Sequence, residues 1–143
     1  MKPAPKSLRF LSVLLLAMPA LTAADKDDVD EFENRVSRIN AMAEKPGMMN
    51  VALQRISTET GVPLENVRAQ HKKHTNMGAA GLMIANVLAN ETKKSPSDFL
   101  TARTEGKKWL GQARENKVSV DKLNDRLERL QKAMTNGSTE KKP

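Results

Sequence analysis

The chain has no cysteine and no tyrosine, and its 143 residues include only three phenylalanines, one tryptophan and two histidines. Each shortage removes something. Without cysteine there is no disulfide, no thiolate nucleophile, no thiolate metal ligand and no lipid-anchoring cysteine of the bacterial lipoprotein type. Surfaces that stack on sugars or single-stranded nucleic acid need several aromatic platforms, and the aromatics here are too few. No GxSxG elbow or other motif for nucleophilic or acid–base work is present, so the chain reads as a non-enzyme. Long apolar runs are missing as well. The run at the start is too short to cross a bilayer core of ~30 Å as a helix.

That start is the most informative stretch. Residues 1–24, MKPAPKSLRFLSVLLLAMPALTAA, have the order of a secretory signal peptide. Lys2, Lys6 and Arg9 form a positive region, Phe10 to Met18 an apolar one, and Pro19 breaks it. Small residues follow, with the expected cut after Ala23 or Ala24. The leader places the protein in the periplasm or outside a bacterial cell, soluble, with no membrane span after cleavage. It also inflates the charge. The whole chain carries +7, but residues 25–143 hold 21 basic and 17 acidic groups, a net +4. The remaining ~119 residues suit one domain, expected over 25–135, with a disordered polar tail over 136–143.

Helical periodicity dominates, and no alternating strand pattern stands out. Val29, Phe32, Val36, Ile39 and Ala43 draw one stripe on a first helix expected over 28–44. The carboxylates from Asp25 to Glu33 complement the dipole at its start, and Lys45-Pro46-Gly47 ends it. Val120, Leu123, Leu127, Leu130 and Met134 mark a last helix, capped by Ser119 and stopped at Asn136-Gly137. Asp125 with Arg129, and Glu128 with Lys132, are supporting pairs four apart. The two terminal stripes suit pairing within one chain or across a homodimer seam. Between them Leu82 to Ala89 is apolar nearly all round, as a central buried helix is, and Asn86 within it requires hydrogen-bond partners. Ser95-Pro96-Ser97-Asp98 has the layout of a capping box, and Gly106 separates the helix that follows from one beginning at Trp109. The expected fold is all-α, a small bundle of five to six helices, with short helix–turn–helix units between long amphipathic ends.

Three segments share one layout: a glutamate (Glu59, Glu91 or Glu115), a short polar turn, and a new helix near Pro63, Ser95 or Ser119. The glutamates are 32 and then 24 residues apart, which excludes a regular solenoid and leaves duplication and chance both open. The first unit, with Arg68, Lys72 and Lys73 on its second helix, also fits a DNA-binding helix pair. An exported protein does not meet the chromosome, so that reading survives only if the leader is not one.

Other candidate chemistry is sparse. His71 and His74 sit three apart on one face and are the candidate metal ligands, but no cysteine or nearby carboxylate completes a set. They extend the stripe of Leu64 and Val67, so a position at a core edge or in solvent, beside Lys72 and Lys73, accounts for them. Asn76 to Gly81 reads as a small-residue turn, and the GxxG spacing of Gly78 to Gly81 is better explained as a small-residue helix start or a close helix crossing than as a phosphate clamp. The methionines from Met42 to Met134 lie on apolar faces and read as core filling. Asn90 and Asn136 head glycosylation sequons, which matter only in a eukaryotic secretory pathway. The candidate anion-binding set is Arg68, Lys72, Lys73, Lys93, Lys94, Lys107 and Lys108. No cofactor is expected.

Residues 84–119 resemble a group of small exported bacterial helical proteins, through Thr92, Lys93, Ser95, Phe99, Leu100, Arg103, Gly106 and Trp109. Lys107-Lys108 departs from that group's glycine-rich turn. The group has no established activity, so the resemblance implies a helical fold and export and nothing more. The expected function is a non-catalytic interaction or structural protein, with an unknown protein or an anionic surface as partner. The alternative is a basic module for anionic polymer or membrane surface.

Overall fold

A computed structural model describes residues 23–139, with side chains from 26 to 137. Residues 1–22, which hold most of the expected leader, and residues 140–143 of the expected tail lie outside the described residues. The chain is all-helical there. The helices are α1 (Ala23–Ala43), α2 (Met48–Thr60), α3 (Leu64–Lys73), α4 (Gly78–Thr92), α5 (Pro96–Thr104), α6 (Trp109–Glu115) and α7 (Val120–Thr139). The described residues thus form seven helices, against an expectation of five to six. The middle of the chain is cut into short helices by left-handed turns, and α6 is only seven residues long.

The helix α4 is the centre. Residues 79–89 are all buried, and α1, α2, α3, α5 and α7 pack on it. The stripes of α1 and α7 close over it: Phe32, Val36, Ile39 and Ala43 from one, Leu123, Leu127, Leu130 and Met134 from the other, all buried within the single chain. Burying each large side chain is worth about 1.5–3 kcal/mol, so these stripes account for much of the driving force. Met77, Met83 and Met134 are buried, and Met42, Met48 and Met49 pack at the core edge, as core-filling methionines would.

The start of α4 differs from expectation. Asn76 to Gly81 is not all turn, because the helix begins at Gly78. The reason is a cap supplied from another helix. Asn40 on α1 accepts from the Ala80 N–H at 2.8 Å and donates to the Met77 carbonyl at 3.5 Å. Gly78 has φ +78°, and a Cβ there would stand 2.3 Å from Asn40 Cγ, so this close approach requires glycine. With the Ala80 N–H engaged by Asn40 and residues 79–81 buried, the GxxG segment offers no phosphate clamp. A Cβ on Gly81 would meet Met77 Cγ at 2.8 Å and only touch Trp109 Cζ2 at 3.4 Å, so Gly81 makes room for the Met77 side chain.

The last helix also outruns expectation, continuing through Asn136-Gly137 to Thr139. The helix α7 lies chiefly against α2, and Gly137 faces Val51, whose methyls would stand 3.4 Å from an added Cβ. Packing against α2 carries the helix past a residue that local propensity reads as a stop.

The three helix–turn–helix units are α2–α3, α4–α5 and α6–α7, and their turns match position by position. Two residues after each glutamate comes a left-handed residue: Gly61 (φ 78°), Lys93 (φ 67°) and Lys117 (φ 56°). Four residues after it stands the residue preceding the next helix, Pro63, Ser95 or Ser119. Ser95 Oγ accepts from Ser97 N and Ser119 Oγ from Lys122 N, each at 3.2 Å. The repeat therefore lies in the turn, and the unequal spacing of the glutamates comes from unequal helices between turns.

Candidate functional site

Charged side chains in this bundle are used first to join helices. Glu33 on α1 grips Arg103 on α5 with two hydrogen bonds, at 2.5 and 3.1 Å. The Arg103 guanidinium also lies 5.3 Å from the centroid of the Trp109 ring on α6, a cation–π distance. Glu59 on α2 is 7% exposed and touches three guanidiniums: Arg55 at 2.9 Å, Arg126 at 3.0 Å and Arg129 at 3.2 Å, the last two from α7. Glu91 on α4 meets Lys122 of α7 at 2.9 Å. Two of the three repeated glutamates thus dock onto one basic edge of α7. The expected pairs Asp125–Arg129 and Glu128–Lys132 are present at 3.2 and 3.1 Å. Asn86 finds the partners it requires: it exchanges two hydrogen bonds with the Gln70 amide, at 2.6 and 3.1 Å, and donates to the Leu82 carbonyl.

The seven candidate anion-binding cations do not form one patch on one element. Arg68, Lys72 and Lys73 project from α3, exposed, and no carboxylate pairs with them among the described residues. Lys93 occupies the left-handed C-cap of α4, and Lys108 is the N-cap of α6. Lys94 and Lys107 are brought together, because the turns on either side of α5 place them on one small pocket.

That pocket encloses about 260 Å³ between α5 and α6. Phe99 and Ala102 of α5 form its apolar wall, and Asp98, Gln112, Glu115 and Asn116 supply further polar groups. Lys94 Nζ donates to Asn116 Oδ1 at 2.8 Å, and Lys107 pairs with Glu115 at 3.6 Å, both ends more than half exposed. Gln112 is 3% exposed, and its Nε2 is buried without a hydrogen-bond partner. A buried donor left unsatisfied costs about 1–3 kcal/mol, so this amide marks a place where the fold lacks an acceptor. Two ammonium groups, two carboxylates and two amides make a binding chemistry, and no hydroxyl nucleophile stands among them. Sequence reasoning missed Gln112, Asn116 and Asp98. The available signal was a glutamine three residues after Trp109, on the buried side of a helix.

A second, wider cleft of about 550 Å³ lies where α1, α6 and α7 meet. Its charged lining mixes Arg35 and Arg114 with Asp28, Glu31, Asp121 and Glu128, and Arg35 is engaged with the Asn124 carbonyl at 3.4 Å.

His71, in the last turn of α3, and His74, just after it, are half-buried. His74 is the C-cap of α3, and its Nε2 is buried without a partner. Among the described residues no group of three His, Asp or Glu side chains is placed to hold a metal ion. No described helix is long and apolar enough to cross a membrane. Ala23 and Ala24, the expected cut, are the first two residues of α1. Comparison with protein-family models, with curated proteins and with solved structures gives no match for this chain.

Proposed function

We propose that this is an exported, non-catalytic helical protein of the bacterial envelope or exterior, acting by interaction rather than by chemistry. The observation that carries the reading is the leader pattern of residues 1–24. The disposition of charge supports it, since the most buried carboxylate, Glu59, and the Glu33–Arg103 pair tie helices together instead of facing a reaction site. The test is expression of the full chain with its own leader, followed by cross-linking in the intact cell. A stoichiometric complex recovered from the envelope or medium is the expected outcome. Robust turnover of a substrate by the purified protein contradicts it.

A second reading has its own observation. Arg68, Lys72 and Lys73 form an exposed, unpaired cationic stretch on α3, suited to an anionic polymer or a membrane surface. Such binding is electrostatic and fades as salt shortens the Debye length from about 30 Å at 0.01 M to about 8 Å at 0.15 M. Co-sedimentation with vesicles containing anionic lipid at low ionic strength, lost in Arg68→Ala/Lys72→Ala/Lys73→Ala, supports it. No salt-sensitive binding to anionic lipid, nucleic acid or acidic polysaccharide removes it.

A further inference from the structure

We propose that the pocket between α5 and α6 binds a small zwitterion of the amino-acid class, one carboxylate and one ammonium group a few bonds apart. The inference does not depend on where the protein resides.

Three observations converge on it. The first is the unfilled donor. Gln112 Nε2 is buried with no acceptor, and the pocket it borders also carries the ammonium groups of Lys94 and Lys107. Lys94 already donates to Asn116 Oδ1 and Lys107 pairs with Glu115, so Gln112 Nε2 is the one of these donors without an acceptor, and a carboxylate, which only accepts, suits it beside two ammonium groups. Lys107 can serve it, because its pair with Glu115 is long, at 3.6 Å, and exposed at both ends, and such a pair holds its partners weakly.

The second observation is charge balance. Asp98 and Glu115 line the same pocket, and no cation lies within ion-pair distance of Asp98 among the described residues. A simple anion entering here gains two lysines and the glutamine but meets two carboxylates. A zwitterion places its ammonium against the carboxylates and its carboxylate against the donors, so every charge in the pocket has an opposite.

The third is size. A volume of about 260 Å³ is below the range of about 300–1,000 Å³ usual for drug-sized ligands and far too small for a polymer strand. Phe99 and Ala102 provide an apolar wall for a short side chain.

The test is an NMR titration of the full chain, following the side-chain amide signals of Gln112 and Asn116. The probes are a panel of L- and D-amino acids, with propionate, propylamine and inorganic phosphate as single-charge-type controls. Saturable shifts of both amides by at least one amino acid in the millimolar range, about tenfold tighter than any control, are the expected result. Gln112→Leu keeps the volume and removes the donor. Asp98→Asn removes one carboxylate at an exposed site and guards against a folding defect in the first variant. Each is expected to weaken binding about tenfold while the remaining amide spectrum stays folded. The proposal is overturned if no amino acid gives a saturable shift. It is equally overturned if propionate or phosphate binds as tightly as the best amino acid, or if both variants bind like the parent.

Discussion

Lysine is a poor choice for a left-handed backbone position, yet Lys93 and Lys117 occupy two of the three matched turns, and Gly61 occupies the third. The Cβ clash that disfavours this conformation costs roughly 1–2 kcal/mol, part of which glycine returns as greater freedom in the unfolded chain. Lys93→Gly and Lys117→Gly are therefore each expected to raise stability by about 1 kcal/mol in urea unfolding, while Gly61→Ala lowers it by a similar amount. Equal loss from all three would mean that the turns are not equivalent. Glu59 offers the opposite case. Its carboxylate is nearly buried among Arg55, Arg126 and Arg129, so Glu59→Gln leaves three guanidiniums short of a counter-charge. Those arginines are 28–48% exposed and water screens them in part, so a loss of about 2 kcal/mol is expected rather than the 3–5 of a fully buried pair. Glu128→Gln, in an exposed pair with Lys132, should stay within about 0.5 kcal/mol.

At the level of elements, the junction of α1 with α4 is the most specific contact. Asn40→Ala removes the cap on α4 and should cost about 1–2 kcal/mol. Gly78→Ala adds a clash with Asn40 to an unfavourable φ, and should cost more. The double variant Asn40→Ala/Gly78→Ala is expected to be less destabilised than the sum of the two, since truncating Asn40 clears the space for the new Cβ. Simple additivity in a thermal or urea double-mutant cycle would contradict that geometry. This contact also shows the limit of periodicity. The stripes of α1 and α7, the buried α4 and the capping serines at 95 and 119 were legible, because each is set by residues within a turn or two of one another. Asn40 lies 40 residues from the N–H it caps, and nothing local in either segment announces the pairing. For the same reason Asn136-Gly137 reads as a stop although α7, packed on α2, continues beyond it. In the pocket, Lys94 and Lys107 were visible as charge. Gln112 was not, because a single glutamine on a short helix has the same local pattern whether its amide is satisfied or not.

For the molecule as a whole, the long stripes of α1 and α7 are already buried against the rest of one chain. Among the described residues those two stripes are therefore not free to form a seam with a second copy, so light scattering over a concentration series is expected to give a monomer, and a dimer lost on substituting stripe residues without unfolding the chain would contradict this packing. Charge follows the same economy. Residues 25–143 carry a net +4, ordinary for a small domain, and among the described residues Arg68, Lys72 and Lys73 of α3 are exposed with no ion-pair partner. With no cysteine in the chain, the fold relies on helix packing and inter-helix ion pairs for its stability. Export is the claim on which the proposed function stands, and its direct measurement is the N-terminal sequence of the protein recovered from fractionated bacteria expressing the full chain. A chain beginning at Ala24 or Asp25 in the periplasm or medium is predicted. A chain that keeps residues 1–22 and stays in the cytoplasm would contradict it.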